Sequence, residues 1–290
     1  MSASILFDAP GPKARARQRV IAVIGGLVML AFVAFALWKL WEKGNLEPAK
    51  WTPFLTGEIW TAYLIPGLLN TLKAAAISIV LAGIFGVIFG MGRLSPNKAI
   101  RWISTIVVEF FRSVPVLVMM IAAFSLYAFQ VKMDPDYTPL AAVVTGLTLY
   151  NGSVVAELLR SGVGSLPKGQ AEAGLSIGLT GGQTLRSIQL PQAVTAMLPA
   201  LVSQLVVVLK DTAIGTIITY PELLTTYAQI GSYKSNPVPA LIVIAIIFIV
   251  INYARTTVAS YVEKQLRSRG QSTMGPGAVA TIEPGVGEMG

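Results

Sequence analysis

A helix that crosses the hydrocarbon core of a bilayer must supply about 20 apolar residues in succession, because its backbone finds no water there to bond. The chain has five charge-free runs of nearly that length, at residues 20–38, 74–92, 113–131, 137–156 and 235–254. A sixth, residues 193–220, is broken only by the adjacent Lys210 and Asp211. The sequence therefore predicts an all-α integral membrane protein with six transmembrane helices. Composition agrees, with 54% hydrophobic and 12% charged residues and a mean hydropathy of +0.67, against about 25% charged in ordinary soluble chains.

The first run follows Lys13, Arg15, Arg17 and Arg19, as the apolar part of a signal peptide would. It is too long for that and lacks a small-residue cleavage site, and Trp38 and Trp41 follow where indole rings settle at a membrane interface. It is read as a retained helix.

A surplus of +8, from 22 Lys and Arg against 14 Asp and Glu, elsewhere suggests nucleic acid. On a six-helix map, however, 14 of the 22 basic residues fall on one face, in the amino-terminal tail, from Arg93 to Arg101, from Arg160 to Arg186, and from Arg255 onward. Five fall on the other face. Basic residues near helix ends stay cytoplasmic, so the surplus orients the bundle with both termini in the cytoplasm, and no nucleic-acid partner is expected. The absence of Cys and His removes thiolate and imidazole chemistry and the commonest metal ligands. No catalytic residue, metal site or P-loop is found.

The expected organisation is a cytoplasmic tail at 1–19, a first helix at 20–41, an external link at 42–62 and a core at 63–267. A tail at 268–290, rich in Gly and Pro, reads as disordered.

Residues 161–192 form the one sizeable polar segment inside the core. Ser165 can cap a helix whose first turn carries Pro167, Gly178 suits a left-handed stop, and Thr180 with Gln183 has the spacing of a capping box. The reading is a helix, a glycine bend and a second short helix ending near Pro191. Each is shorter than the roughly 12–15 residues that give even marginal stability alone, so the pair must pack against something. From the residues alone, that partner is either the chain's own helix ends or another protein.

The run Gly169-Gln170-Ala171-Glu172-Ala173-Gly174, then Gly178, then Ile188-Gln189-Leu190-Pro191, resembles the EAA loop of permease subunits in binding-protein-dependent ABC importers. The flanks are similar to those of the polar amino acid subfamily, with Glu109-Phe110-Phe111-Arg112-Ser113-Val114-Pro115, Ala156-Glu157 with Arg160, and Lys210-Asp211-Thr212. The likeness spans residues 63–267, and the wording is similar to that of actinobacterial glutamate importer permeases. The resemblance implies a five-helix core with one extra amino-terminal helix, set in the bacterial cell (inner) membrane. It implies a separate ATPase that binds ATP and Mg, a second permease in a heterodimer, and an extracytoplasmic substrate-binding protein. Gly169, Glu172, Ala173, Gly174, Gly178, Ile188 and Pro191 would then form the ATPase-coupling surface. Many relatives carry Ala at the place of Gly174. The competing class is an ATP-independent secondary transporter or channel.

Ionisable residues inside a membrane need partners or a wet path. Glu109 with Arg112, and Glu157 with Arg160, are three apart and can pair on one helix face; either pair is a structural bond or part of a substrate path. Lys210 and Asp211 point about 100° apart and cannot neutralise one another across one face, which suits them to the ammonium and carboxylate of an amino acid, or to bonds with neighbouring helices. Asn151, beside Gly152 and Ser153, offers further polar contacts or close helix packing. The candidates for a substrate pathway are Lys210, Asp211, Asn151, Glu157 and Arg112.

Overall fold

The computed structural model describes residues 11–271. Ten helices follow in order: α1 (Pro12–Glu42), α2 (Pro48–Trp51), α3 (Gly57–Arg93), α4 (Lys98–Ser113), α5 (Val116–Val131), α6 (Thr138–Gly164), α7 (Lys168–Ser176), α8 (Gly181–Ile218), α9 (Thr226–Lys234) and α10 (Pro237–Gln271). Five are long and apolar enough to cross a membrane, or six if the bent pair α4 and α5 is counted as one span. The all-α membrane fold expected from the sequence is the one observed. Residues 268–271 prolong α10, and the rest of the expected disordered tail, like residues 1–10, lies outside the described residues.

Helix α1 has no buried residue, as suits a helix surrounded by lipid. The link expected at 42–62 is more structured than its Pro and Trp content suggested. Trp51 Nε1 donates to the Asn45 carbonyl and Trp60 Nε1 to the Phe54 carbonyl, each at 2.8 Å. Phe54 and Ile59 are buried against Leu64, Leu223, Ile230 and Ile244, so the link closes one end of the bundle.

The third apolar run departs most from expectation. The stretch from Lys98, read as a loop, is helix α4, capped by Asn97 Oδ1 accepting from Ala99 N–H at 2.9 Å. Pro115 forces its predecessor out of the helical region, and Val114 is extended, with φ −86° and ψ 127°. The chain turns by 98° there. Glu109 and Arg112 thus sit on α4, which lies across α5.

Helix α6 is central. Gly86 of α3 and Gly152 of α6 let the two helices touch: a Cβ on Gly86 would lie within 3.0 Å of the Gly152 carbonyl oxygen, and one on Gly152 would lie 2.7 Å from the Phe85 ring. The remaining core gathers Ala74, Met120, Val143, Leu147, Val208 and Tyr220.

Two further corrections concern the polar segment. Ser165 closes α6 instead of opening α7, whose first turn follows Pro167 without a side-chain cap. The second short helix does not end near Pro191. It widens into a π turn at Leu185–Gln189 and runs on through Leu190–Asp211. A proline ring clashes with the preceding turn of a regular helix and lacks its donor; the wider turn just before Pro191 relieves both demands.

Candidate functional site

Four polar features stand along the bundle, beginning with the hairpin α7–Gly178–α8. Gly178 has φ +85°, the left-handed conformation that glycine adopts without a Cβ penalty. Thr180 and Gln183 form the reciprocal capping box, with Thr180 N–H donating to Gln183 Oε1 at 2.8 Å. Gly174 is buried against Thr184 and Ile188, and Gln192 donates to Gln170 at 2.9 Å. The two helices therefore pack on each other. Gly169, Glu172, Ala173, Leu175, Ile177 and Gly178 are exposed, Ile177 by 75%, and Pro191 is exposed where α8 leaves the hairpin.

Beside the hairpin end of the bundle five charges form one network. Arg93 reaches Glu109 at 2.9 Å and Glu157 at 2.7 Å, Arg112 reaches the same two carboxylates at 3.4 and 3.3 Å, and Arg160 pairs with Glu157 at 2.6 Å. The two pairs foreseen at i, i+3 spacing are both present. What joins them is Arg93, its side chain only 6% exposed, which sequence reading had counted as a loop charge.

At mid-bundle Asn151 is buried, donating to the Leu147 carbonyl at 2.9 Å and accepting from Gln204 Nε2 at 2.5 Å. Gln204 had given no signal, being one polar residue in an apolar run. Lys210 and Asp211 close the regular part of α8, where the chain tightens into a 3-10 turn at Thr212–Ile218. Lys210 lines a cavity of about 260 Å³ with Ala213, Leu224, Leu241, Ile244, Ala245, Phe248 and Asn252. The structure thus separates Lys210 and Asp211 from the network that holds Arg112 and Glu157.

At the far end Glu222 is wholly buried, and among the described residues no cation is bonded to it. Its carboxylate accepts from Thr216 Oγ1 at 2.6 Å and from the N–H groups of Leu224 and Thr225 at 2.8 Å each. Burial raises its pKa, against the pull of those donors. Tyr220 beside it is pushed up to about 12, first by burial and then by the Glu222 charge. Tyr220 Oη donates to the Asn70 carbonyl and Asn70 Nδ2 to the Pro221 carbonyl, both at 2.8 Å, so the segment is stitched to α3. Sequence reading passed over Glu222 because it falls between two spans, where an acid is unremarkable.

A bundle of membrane-spanning helices with charges at several depths, and an ordered polar hairpin at one end, defines a membrane transport component. The model of binding-protein-dependent transport system inner membrane components matches residues 79–268, and the chain belongs to that family. It is 48% identical to the glutamate transport system permease protein GluD of Corynebacterium glutamicum, over 78% of this chain and 83% of that one. It is 35% identical to a probable glutamine ABC transporter permease protein, GlnP, of Bacillus subtilis, over 70% and 93% of the two chains. Among solved structures, an amino acid ABC transporter crystallised with histidines matches with a TM-score of 0.67 at 27% identity, over 73% of this chain and 98% of that one. Permease subunits are transport components, not enzymes, and the family implies ATPase and substrate-binding partners. Among the described residues no group of three or more Asp or Glu could hold a metal ion.

Proposed function

We propose that the chain is the permease of an ATP-driven importer for glutamate or a closely related polar amino acid, with the hairpin and both termini in the cytoplasm. ATP and Mg are bound by two ATPase copies, an extracytoplasmic binding protein delivers the substrate, and a second, different permease completes the path. The likeness to GluD supports the substrate.

One observation carries the mechanism: the exposed hairpin continues without a break into α8, the helix that bears Lys210 and Asp211. A closing ATPase that grips Glu172 and Ala173 moves α7 and the start of α8 together, because Gly174 packs on Thr184 and Ile188 and Gln192 bonds Gln170. A rigid helix transmits that displacement along its length. Lys210 supplies a cation for a substrate carboxylate and Asp211 an anion for its ammonium, while Asn151 bonded to Gln204 ties α6 to the same moving helix. Arg112 and Glu157 belong to the network that holds the cytoplasmic ends of α3, α4 and α6 together, and shape the inner exit of the path.

The test is uptake by the whole reconstituted complex. Labelled glutamate should accumulate on addition of ATP and be displaced by unlabelled glutamate far better than by glutamine, arginine or histidine. Displacement by arginine or histidine alone would overturn the substrate reading, and uptake driven by an ion gradient without ATP would overturn the importer reading.

A further inference from the structure

Helix α4 stands apart from the transport machinery. It meets α5 at 98°, so an α5 that crosses the bilayer sets the axis of α4 near the membrane plane. It lies at the hairpin end, since Ser95 and Ile100 share a cleft with Thr180, Gln183 and Arg186. Its residues fall into three sectors at 100° per residue. Ser104 and Val108 are buried and Phe111 half-buried against the bundle. Lys98, Arg101, Thr105, Glu109 and Arg112 share a polar side. Ala99, Trp102, Ile103, Ile106 and Phe110 form an apolar stripe that none of the described residues covers, Trp102 being 68% exposed.

A helix in the membrane plane, with an outward apolar stripe, a Trp on that stripe and a basic polar side, has the build of an interfacial helix. Its charge is one-sided. The network below it holds three guanidiniums against two carboxylates. Among the described residues Lys98 makes no salt bridge, and the Arg101 guanidinium donates only to the Ser95 carbonyl, at 3.1 Å. Nothing acidic in α4 answers these two cations, since Glu109 is taken by Arg93 and Arg112.

We propose that α4 binds anionic phospholipid headgroups on the hairpin side of the bilayer. Its apolar stripe rests in the acyl boundary, and Lys98 and Arg101 contact lipid phosphates. Because Glu109 of the same helix bonds Arg93, this lipid layer bears directly on the junction of α3, α4 and α6.

The chain has no Cys, so a fluorophore placed through Ile106→Cys marks the stripe. The labelled permease is purified within its complex and placed in nanodiscs of mixed phosphatidylglycerol and phosphatidylcholine, with bromine on the chains of one lipid at a time. Brominated phosphatidylglycerol should quench at least twofold more strongly than brominated phosphatidylcholine at equal mole fraction. Lys98→Gln with Arg101→Gln should bring the ratio near one while total quenching persists, and 0.5 M salt should do the same to the unaltered chain, by screening. The salt arm stands even if the double variant does not fold. Equal quenching by the two lipids in the unaltered chain would overturn the anionic preference, and no quenching by either would show the stripe to be covered by protein.

Discussion

Gly174 lies against Thr184 so closely that a Cβ on the glycine would stand 2.5 Å from Thr184 Cγ2 and 2.7 Å from Oγ1. In sequence the glycine stands where many relatives carry alanine. In three dimensions it is the point at which α7 and α8 close on each other. Overpacking of this kind costs about 1–3 kcal/mol. Gly174→Ala should therefore loosen the hairpin and lower ATP-driven uptake several-fold, and adding Thr184→Ala should restore most of it. Uptake by single and double variants in liposomes checks this; a double variant no better than the single would place the effect elsewhere.

Arg93 bridges two carboxylates on two other helices from a side chain only 6% exposed. Removing one partner of a buried ion pair costs about 3–5 kcal/mol, because the other charge is left without compensation. Glu109 is half-exposed, and Arg112 and Arg160 remain to serve Glu157, so Arg93→Met should cost about 2–3 kcal/mol. Arg93→Lys should recover little, since an ammonium lacks the fork that reaches both acids. Thermal unfolding of the detergent-solubilised protein measures both.

What the sequence conveyed followed from patterns that one local rule controls. Hydropathy set the spans, i, i+3 spacing set the Glu109–Arg112 and Glu157–Arg160 pairs, and turn chemistry placed Gly178 and the Thr180 box. What it hid needed two elements at once. Helix α4 was invisible because its apolar residues serve two faces and no run is long enough to span. The path through Pro191 was read as a stop because the preceding π turn leaves no mark in composition. Arg93 and Gln204 acquired partners only through helices 16 and 53 residues away, and Glu222, whose nearest donors lie within six residues, is buried because its turn packs against Thr71 of α3.

Burial raises the Glu222 pKa above the ordinary 4.5. A folded pKa above the unfolded one means that the folded state holds its proton more tightly, so stability from this group is full below pH 4.5 and is lost as pH rises through the folded value. The unfolding temperature of the unaltered chain, minus that of Glu222→Gln, should therefore fall as pH is raised from 4 to 7. A difference that stays flat or rises would mean that the donors from Thr216, Leu224 and Thr225 outweigh burial.

Lys210 lines a largely apolar cavity, and no salt bridge engages it among the described residues. If its ammonium receives a substrate carboxylate, Lys210→Ala should reduce uptake at least tenfold, the loss of about 1.4 kcal/mol of transition-state stabilisation. Lys210→Arg should retain most of the rate, whereas Asp211→Ala should raise KM by weakening the hold on the substrate ammonium. Unchanged KM and rate in Lys210→Ala and Asp211→Ala alike would assign the two residues to helix packing.

Gly178 has open space around its Cβ position, so a side chain there meets no neighbour, yet its φ of +85° is strained for any other residue. That separation makes it a clean probe of the hairpin as a lever. A β-branched residue in a left-handed conformation costs about 1–2 kcal/mol or more, and the chain can escape by opening the bend and changing the angle between α7 and α8. Gly178→Val should therefore leave spans and ATPase binding intact while uptake per ATP hydrolysed drops at least tenfold. Gly178→Asn, which tolerates the left-handed region better than other side chains, should fall between the two. Measured together in liposomes, ATP hydrolysis and uptake distinguish a broken lever from a lost complex: hydrolysis that persists without transport is the signature of the first. Coupled transport equal to that of the unaltered chain would show that the bend angle at Gly178 carries no force.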